Sequence, residues 1–473
     1  MMPELDTTWE PVARRRVLFI CYLFPPVGGA GVQRPVKFVK YLHQFGWDVT
    51  VLTVENPSVP VFDESLLDDV PRQTVIRKAS TLEPGYRHKA RIARPEGVAR
   101  SDVSGSARNS LLRGIKGALR GVAGVVLQPD PQILWFPAAA SRALELLRAT
   151  PHDIIFATAP PYSSFLLGSW LKRRVGLPLV LDYRDEWDLS SAYRENSKRD
   201  AISLFIQRRM QRSVLRAADG LVATTKASTE AIAQRAKRFG VDLPGICIYN
   251  GFDEADMECI QADNVSTLRH GGRLRMVYTG TLWNLTSVEP LVKAVKMLSR
   301  QDPGLMERLD LVFVGRKISH QLSLLEQLSS TGCRLELRDY CDHREALSVM
   351  ESADVLCLLL SDVSGAERVV PAKLFEYLAM RREILAIMPK GESADIVTRY
   401  FPDSHFGVNN ISGIADWIKE RIERKGSGRL PSVADIGDIS SFSRRCQAKQ
   451  LSEYLNRFVP QAPERMPKRF RYG

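Results

Sequence analysis

The chain has 473 residues, 44% apolar and 25% charged, with a net charge of +12 from 66 Lys and Arg against 54 Asp and Glu. Those values fit a globular protein of two large domains and exclude collagen-like, low-complexity and wholly disordered chains. No apolar run approaches the roughly 18–20 residues of a membrane span, and Met1–Arg16 offers acids and then arginines without the apolar core of a signal peptide, so the protein is expected in the cytosol.

Val17–Cys21 is a continuous apolar run, which suits a buried parallel strand. A loop with Pro25, Pro26, Gly28, Gly29 and Gly31 follows, then a helix over Val36–Phe45 and a strand over Asp48–Val54. Strand, glycine-rich turn, helix and strand make a βαβ unit. After an irregular stretch, helices are predicted over Ala138–Thr150, Ser164–Val175, Ile202–Ala217 and Ala227–Phe239. Strands over Asp153–Thr158, Leu179–Tyr183 and Gly220–Thr224 alternate with them. A second series holds strands at Ile246–Tyr249, Leu274–Thr279, Leu309–Val314, Arg334–Arg338, Val355–Leu360 and Ile384–Ile387. Its helices are predicted over Val288–Leu298, Leu322–Ser329, His343–Ser352, Lys373–Met380, Ile411–Arg424 and Ser443–Val459.

Two βα series predict an α/β protein of two doubly wound, Rossmann-like domains facing across a cleft. The expected boundaries are 1–245, with a basic insertion at about 80–130, then 246–435. A C-terminal helix over 436–458 is expected to pack back on the first domain, and 459–473 is a basic tail. Between Arg87 and Arg120 nine basic residues face only Glu96 and Asp102. Asn109–Leu127 has an apolar stripe of Leu111, Ile115, Leu119, Val122 and Val126, with Arg113, Lys116 and Arg120 off it. A basic amphipathic helix can lie on an anionic membrane, so residues 87–127 are expected to meet one; a helix packed on its own domain is the alternative. No nucleic-acid partner is expected, because aromatic residues are not interleaved with the basic ones. The seven cysteines show neither a C-x-x-C pair nor clustering with histidine, so buried thiols are expected and a metal site is not.

The motifs lie at strand ends. Gly28, Gly29 and Gly31 open a helix, where backbone N–H groups and the helix dipole suit an anion. Arg34 stands where a G-x-G-x-x-G fingerprint would have its last glycine. Asp182, Arg184, Asp185, Glu186 and Asp188 crowd the end of the strand Leu179–Tyr183. They can bind hydroxyls, move a proton or clamp a phosphate; an ion-pair network is the alternative. Asn250-Gly251 reads as a turn needing positive φ. Tyr278-Thr279-Gly280-Thr281 ends another strand and can line a phosphate pocket. Lys373 sits in the first turn of a helix begun near Pro371, where the dipole disfavours a cation unless it meets a phosphate. Glu376, three residues on, faces the same side, so a surface ion pair is the alternative. Asp253-Glu254-Ala255-Asp256 spells a helicase-like acid motif, but no Walker lysine accompanies it. Asp342-His343 reads as a helix cap rather than a metal pair.

In this order and spacing, Tyr22–Leu42, Ile154–Ser163, Leu179–Trp187, Ile248–Asp253, Tyr278–Leu282 and Val369–Ala379 resemble glycosyltransferase family 4, retaining nucleotide-sugar enzymes with the GT-B fold. The resemblance implies an acceptor-side first domain and a donor-binding second one. Glu376 would accept hydrogen bonds from the ribose hydroxyls, and Lys373 would meet the diphosphate. Gly280 and Thr281 would line the donor pocket, and the Gly28–Gly31 loop with Arg34 would border it. Arg184 and Asp185 would lie on the acceptor side as catalytic candidates. The family often has a second glutamate where this chain has Arg368; Glu367 stands one place away and is the third catalytic candidate. The arginine and lysine that often follow the second-domain Gly-Thr turn are replaced by Leu282-Trp283-Asn284-Leu285. Lys373, Arg368 and Arg316 are the remaining cations for a diphosphate.

These readings imply sugar transfer from a nucleotide-diphosphate sugar to a polysaccharide or lipid-linked acceptor at the cytosolic membrane face, without metal or cofactor. A sugar-nucleotide epimerase and an inactive nucleotide-sugar-binding scaffold are the alternatives.

Overall fold

The computed structural model describes residues 14–85, 127–189, 201–262, 272–428 and 436–460. The basic stretch from Arg87 to Arg120 and the tail beyond residue 460 lie outside them. The described strands form two wholly parallel sheets, as the two βα series imply. The first contains β1 (Arg15–Ile20), α1 (Ala30–Leu42), β2 (Trp47–Val54), β3 (Val75–Ala79), α2 (Phe136–Ala149), β4 (Ile154–Ala159), α3 (Ser163–Val175), β5 (Leu179–Tyr183), α4 (Ala201–Ala217), β6 (Gly220–Ala223), α5 (Lys226–Arg238) and β7 (Gly245–Cys247). Its strand order is β3-β2-β1-β4-β5-β6-β7. After α6 (Glu254–Ala262) the second contains β8 (Leu274–Thr279), α7 (Glu289–Gln301), β9 (Leu309–Val314), α8 (Ser319–Glu326), β10 (Arg334–Arg338), α9 (His343–Glu351), β11 (Val355–Leu359), α10 (Lys373–Ala379), β12 (Glu383–Ile387), α11 (Glu392–Tyr400), β13 (His405–Phe406) and α12 (Ile411–Gly426). Its order is β10-β9-β8-β11-β12-β13.

The central strands are buried on both faces, because helices cover each side of a parallel sheet. Val17, Leu18, Phe19 and Ile20 are wholly inaccessible, as are Leu311 and Val312 on β9. The final helix α13 (Arg444–Leu455) leaves the second sheet's side and packs Leu451, Tyr454 and Leu455 against Val17, Val49 and Ile154 under the first. Trp47 Nε1 donates to Ser452 Oγ at 3.1 Å in that contact.

Two segments run between the sheets, and they pair. Phe252 N donates to the Phe442 carbonyl, and Arg444 N donates to the Phe252 carbonyl. A Cβ on Gly251 would lie 2.0 Å from that Phe442 oxygen. Gly251 is therefore required by close backbone approach and not by the positive φ expected from the Asn-Gly pair, since it is absent from the positive-φ glycines. Helix α1 also begins at Ala30, well before the expected Val36, and carries Pro35 inside it. Asp342 caps α9 as expected, its Oδ1 accepting from Glu345 N at 2.8 Å.

Candidate functional site in the interdomain cleft

In each sheet the first strand is flanked by two neighbours that continue in opposite directions: β1 by β2 and β4, β8 by β9 and β11. Crevices at such switch points, beyond the strands' carboxyl ends, are where open α/β sheets bind ligands. The two crevices face one another here.

On the second-sheet side, β8 and β9 end at Gly280 and Gly315, with φ of 121° and 119°. Only glycine adopts such values without strain. The two also pack together, since a Cβ on Gly315 would lie 2.4 Å from the Gly280 oxygen. Tyr278 Oη donates to the Thr281 carbonyl at 3.0 Å and fixes its ring under the turn. Over that ring, 3.8 Å from its centroid, stands the Lys373 ammonium from the start of α10. A Cβ on Gly280 would come within 2.7 Å of the same nitrogen. Burial pushes the Lys373 amine down to about 7, with only Glu376 pulling the other way. Lys317 adds a second half-buried amine, donating to the carbonyls of Gly315 and Arg338 at 2.7 and 2.6 Å. Burial lowers its pKa as well, against Asp339.

Glu376 is half-buried, and no described ion pair joins it to Lys373. Its carboxylate lies 3.8 Å from His343 Nε2, which is also 3.4 Å from Asp256. Although burial opposes it, the Asp256 hydrogen bond and the Glu376 charge raise the His343 pKa. Arg444, fully buried nearby, is pushed down to about 10 by burial and by Arg34.

The first-sheet side is braced by two arginines. Pro35 has no N–H to give the carbonyl four residues back. That carbonyl belongs to Gly31, and Arg184 Nη1 donates to it. Arg184 Nη2 donates to the Pro160 carbonyl. Arg184 therefore ties the glycine loop to the end of β4 and braces it. Arg34 is the second brace. It is buried, with Nε and Nη2 on Asp182 and Nη1 on the carbonyls of Ile248 and Tyr249 at 2.8 Å. Its donors are committed inside the protein, so it does not offer them to an anion in the loop.

The acidic cluster after β5 divides in the same way. Asp182 holds Arg34 and accepts from Thr158 Oγ1. Asp188 pairs with Arg235 at 2.8 Å. Glu186 is buried, accepts from Ser228 Oγ at 2.9 Å and meets Arg368 from the second domain at 3.3 Å. Burial raises the Glu186 pKa, with Ser228 and Arg368 opposing. Asp185 and Asp188 are the exposed acids of the cluster, and Asp182 and Glu186 the buried ones. Much of the cluster is thus an ion-pair network, the alternative reading of the sequence.

Further contacts cross the cleft. Glu392 accepts from Lys226 N and Ala227 N, capping α5 from the other domain at 2.9 and 3.1 Å. His343 N donates to Asp63 at 3.3 Å. A Cβ on Gly28 would lie 3.0 Å from Tyr340 Oη. Asp69, Asp253 and Asp256 bring carboxylates within 4.8 Å of one another. The Lys37 ammonium stands among them at 2.6, 2.6 and 2.9 Å. The helicase-like acids are therefore partners of a buried lysine.

Of the residues named from sequence, Gly280, Lys373 and Glu376 come together, with Thr281 exposed beside them. Gly28 meets the second domain at Tyr340, and Gly31 lies against Arg184; Gly29 has φ of 96° with open space where a Cβ would be. Arg316 is exposed just after Gly315. Arg368 is tied to Glu186, and Glu367 is exposed, its carboxylate accepting from Gly365 N at 3.0 Å. Lys317 and His343 were missed as site residues, and Tyr278 was named only as part of the strand-end motif. Lys317 is the neighbour of Arg316 in an extended segment, where alternate side chains face opposite ways.

Comparisons with known proteins follow the same geometry. Residues 28–242 match the family model described as a glycosyl transferase 4-like domain. No curated protein matches the chain by sequence. Among solved structures, Anabaena Alr3699/HepE in complex with UDP-glucose is 13% identical, covering 93% of this chain and 99% of its own, with a TM-score of 0.56. The UDP-forming α,α-trehalose-phosphate synthase of Burkholderia xenovorans is 10% identical, covering 93% and 100%, with a TM-score of 0.59. WaaG, a glycosyltransferase involved in lipopolysaccharide biosynthesis, is 11% identical, covering 93% and 99%, with a TM-score of 0.53. These likenesses run over nearly the whole chain and establish its fold as that of the GT-B glycosyltransferases.

Proposed function

We propose that this protein is a retaining glycosyltransferase that moves a sugar from a nucleotide-diphosphate sugar to a polysaccharide or lipid-linked acceptor at the cytosolic membrane face, in cell-surface polysaccharide or glycolipid biosynthesis. The observation that carries the reading is Lys373, an amine held half-buried over Tyr278 beside the Gly280–Gly315 turns, with its pKa lowered to about 7. Such a group gains most from a diphosphate, which restores its charge. The similarity of residues 28–242 to a glycosyl transferase 4-like domain supports the class of reaction.

In the reaction, the bond between the anomeric carbon and the diphosphate oxygen breaks. A bond from that carbon to an acceptor hydroxyl forms on the same face, and the hydroxyl proton leaves on the departing diphosphate. Negative charge grows on the phosphate, so fixed cations and amides there lower the barrier. Lys373, with Lys317 and Arg316 at the end of β9, is assigned that role without metal. Glu376 is assigned to the ribose hydroxyls, and exposed Asp185 and Glu367 to the acceptor side. Residues 87–127 are assigned to the membrane.

The test is release of nucleotide diphosphate from UDP-, GDP- and ADP-hexoses with a membrane lipid extract as acceptor source. Turnover with one donor, insensitive to chelator and abolished in Lys373→Met, is expected. Epimerised donor formed without acceptor would instead identify an epimerase, and binding without turnover a scaffold.

A further inference from the structure

Helix α4 exposes its large apolar residues. Ile202 and Phe205 are 64% and 60% accessible, and Leu204 is also exposed. The opposite face is buried through Ser203, Gln211, Val214 and Leu215. Ile202, Phe205, Arg209, Arg212 and Arg216 recur at three- and four-residue spacing, so they share one face. The Arg209 guanidinium lies 5.7 Å from the Phe205 ring centroid. Helix α3 lies alongside, joined where Arg173 donates to Ser213 at 2.7 Å, and it adds Arg174 over Trp170. Neither α3 nor α4 contains an acidic residue.

The topology also fixes where this face lies. A helix that follows a parallel strand starts at the strand's carboxyl end. The apolar start of α4 therefore lies at the cleft rim, and Gln211 donates to Asp188 of the β5 loop at 2.6 Å.

We infer that the first half of α4, with the end of α3, docks this protein on an anionic lipid bilayer. A bilayer supplies both halves of the match: an acyl boundary for Ile202 and Phe205, and phosphates for Arg209 and Arg212 with exposed Arg208 beside them. A nucleic acid would leave the apolar tip in water. The inference deepens the proposed function, because docking here sets the cleft mouth at the lipid surface.

The test is co-sedimentation of the full chain with phosphatidylcholine vesicles, with and without roughly one phosphatidylglycerol in three. The wild type is expected to bind the anionic vesicles only. Ile202→Ser with Phe205→Ser, and separately Arg208→Gln with Arg209→Gln and Arg212→Gln, should each lower the partition at least tenfold. Nucleotide binding measured on the same variants should not change, which shows that they fold. Wild-type partition in either variant, or no vesicle binding by the wild type, would overturn the inference. Failure of the glycosyltransferase reading looks different: vesicles are bound, but no nucleotide is bound or turned over.

Discussion

The Lys373 ammonium stands 3.8 Å above the Tyr278 ring, and no described ion pair includes it. A cation on a ring face is stabilised less than one in water or on a carboxylate, so burial wins and the amine gives up its proton near neutrality. A bound diphosphate reverses that balance. The consequence is a proton taken up with the ligand.

At pH 8 an amine with a pKa of about 7 is about nine-tenths neutral, and at pH 6 it is already charged. A diphosphate raises the amine's pKa again, so binding at pH 8 should take up close to one proton. Affinity should fall by about 1.4 kcal/mol per pH unit above 7 while the bound amine stays charged. Calorimetry in buffers of different ionisation enthalpy counts the protons. No uptake at pH 8 would place Lys373 away from the ligand.

The two glycines at the strand ends should separate binding from folding. Gly280→Ala puts a methyl 2.7 Å from the flexible end of Lys373, whereas Gly315→Ala puts one 2.4 Å from the Gly280 backbone oxygen. Both also strain a positive φ, at a cost of about 1–3 kcal/mol. Gly280→Ala should weaken nucleotide binding more than it lowers Tm. Gly315→Ala should lower Tm by the larger amount.

Arg34 offers a test of bracing against anion binding. Arg34→Met leaves the Asp182 carboxylate buried without its guanidinium. Breaking such a pair costs about 3–5 kcal/mol. Chemical denaturation should show that loss, and Asp182→Asn added to Arg34→Met should recover part of it. Nucleotide affinity in the protein that remains folded should be unchanged.

The parallel-strand core was legible because the central strands are mostly apolar on both faces: Leu179–Tyr183, Leu274–Thr279 and Leu309–Val314 begin and end where the sequence placed them. Short edge elements were not. His405–Phe406 is too brief for any period to register, and Val75–Ala79 carries Arg77 and Lys78 on an exposed edge. Lys373 and Glu376 were legible as a local conflict with the helix dipole. Their neighbours were not: His343 reaches Glu376 and Asp256 from distant parts of the chain. The role of Arg184 depends on Pro35 freeing a carbonyl 153 positions away.

Glu186 and Arg368 form one of the links across the cleft, with Glu186 buried and Arg368 partly open. A thermal double-mutant cycle with Glu186→Gln and Arg368→Gln should give a coupling of about 1 kcal/mol, within the range for contacting residues. Burial raises the Glu186 pKa, so folding favours its protonated form. That contribution to stability is present at low pH and is lost as pH rises through the folded pKa. Stability of Arg368→Gln, where the carboxylate has lost its partner, should therefore fall more on raising the pH than that of Glu186→Gln with Arg368→Gln.

The most direct measurement is calorimetric binding of UDP, GDP and ADP to the wild type, Glu376→Ala and Lys373→Met. One nucleotide should bind the wild type, and each substitution should weaken it by about 1.5 kcal/mol or more, the value of a charge-assisted hydrogen bond. Equal affinity in all three proteins would contradict the assignment of the cleft between β8, α10 and the glycine loop as the donor site.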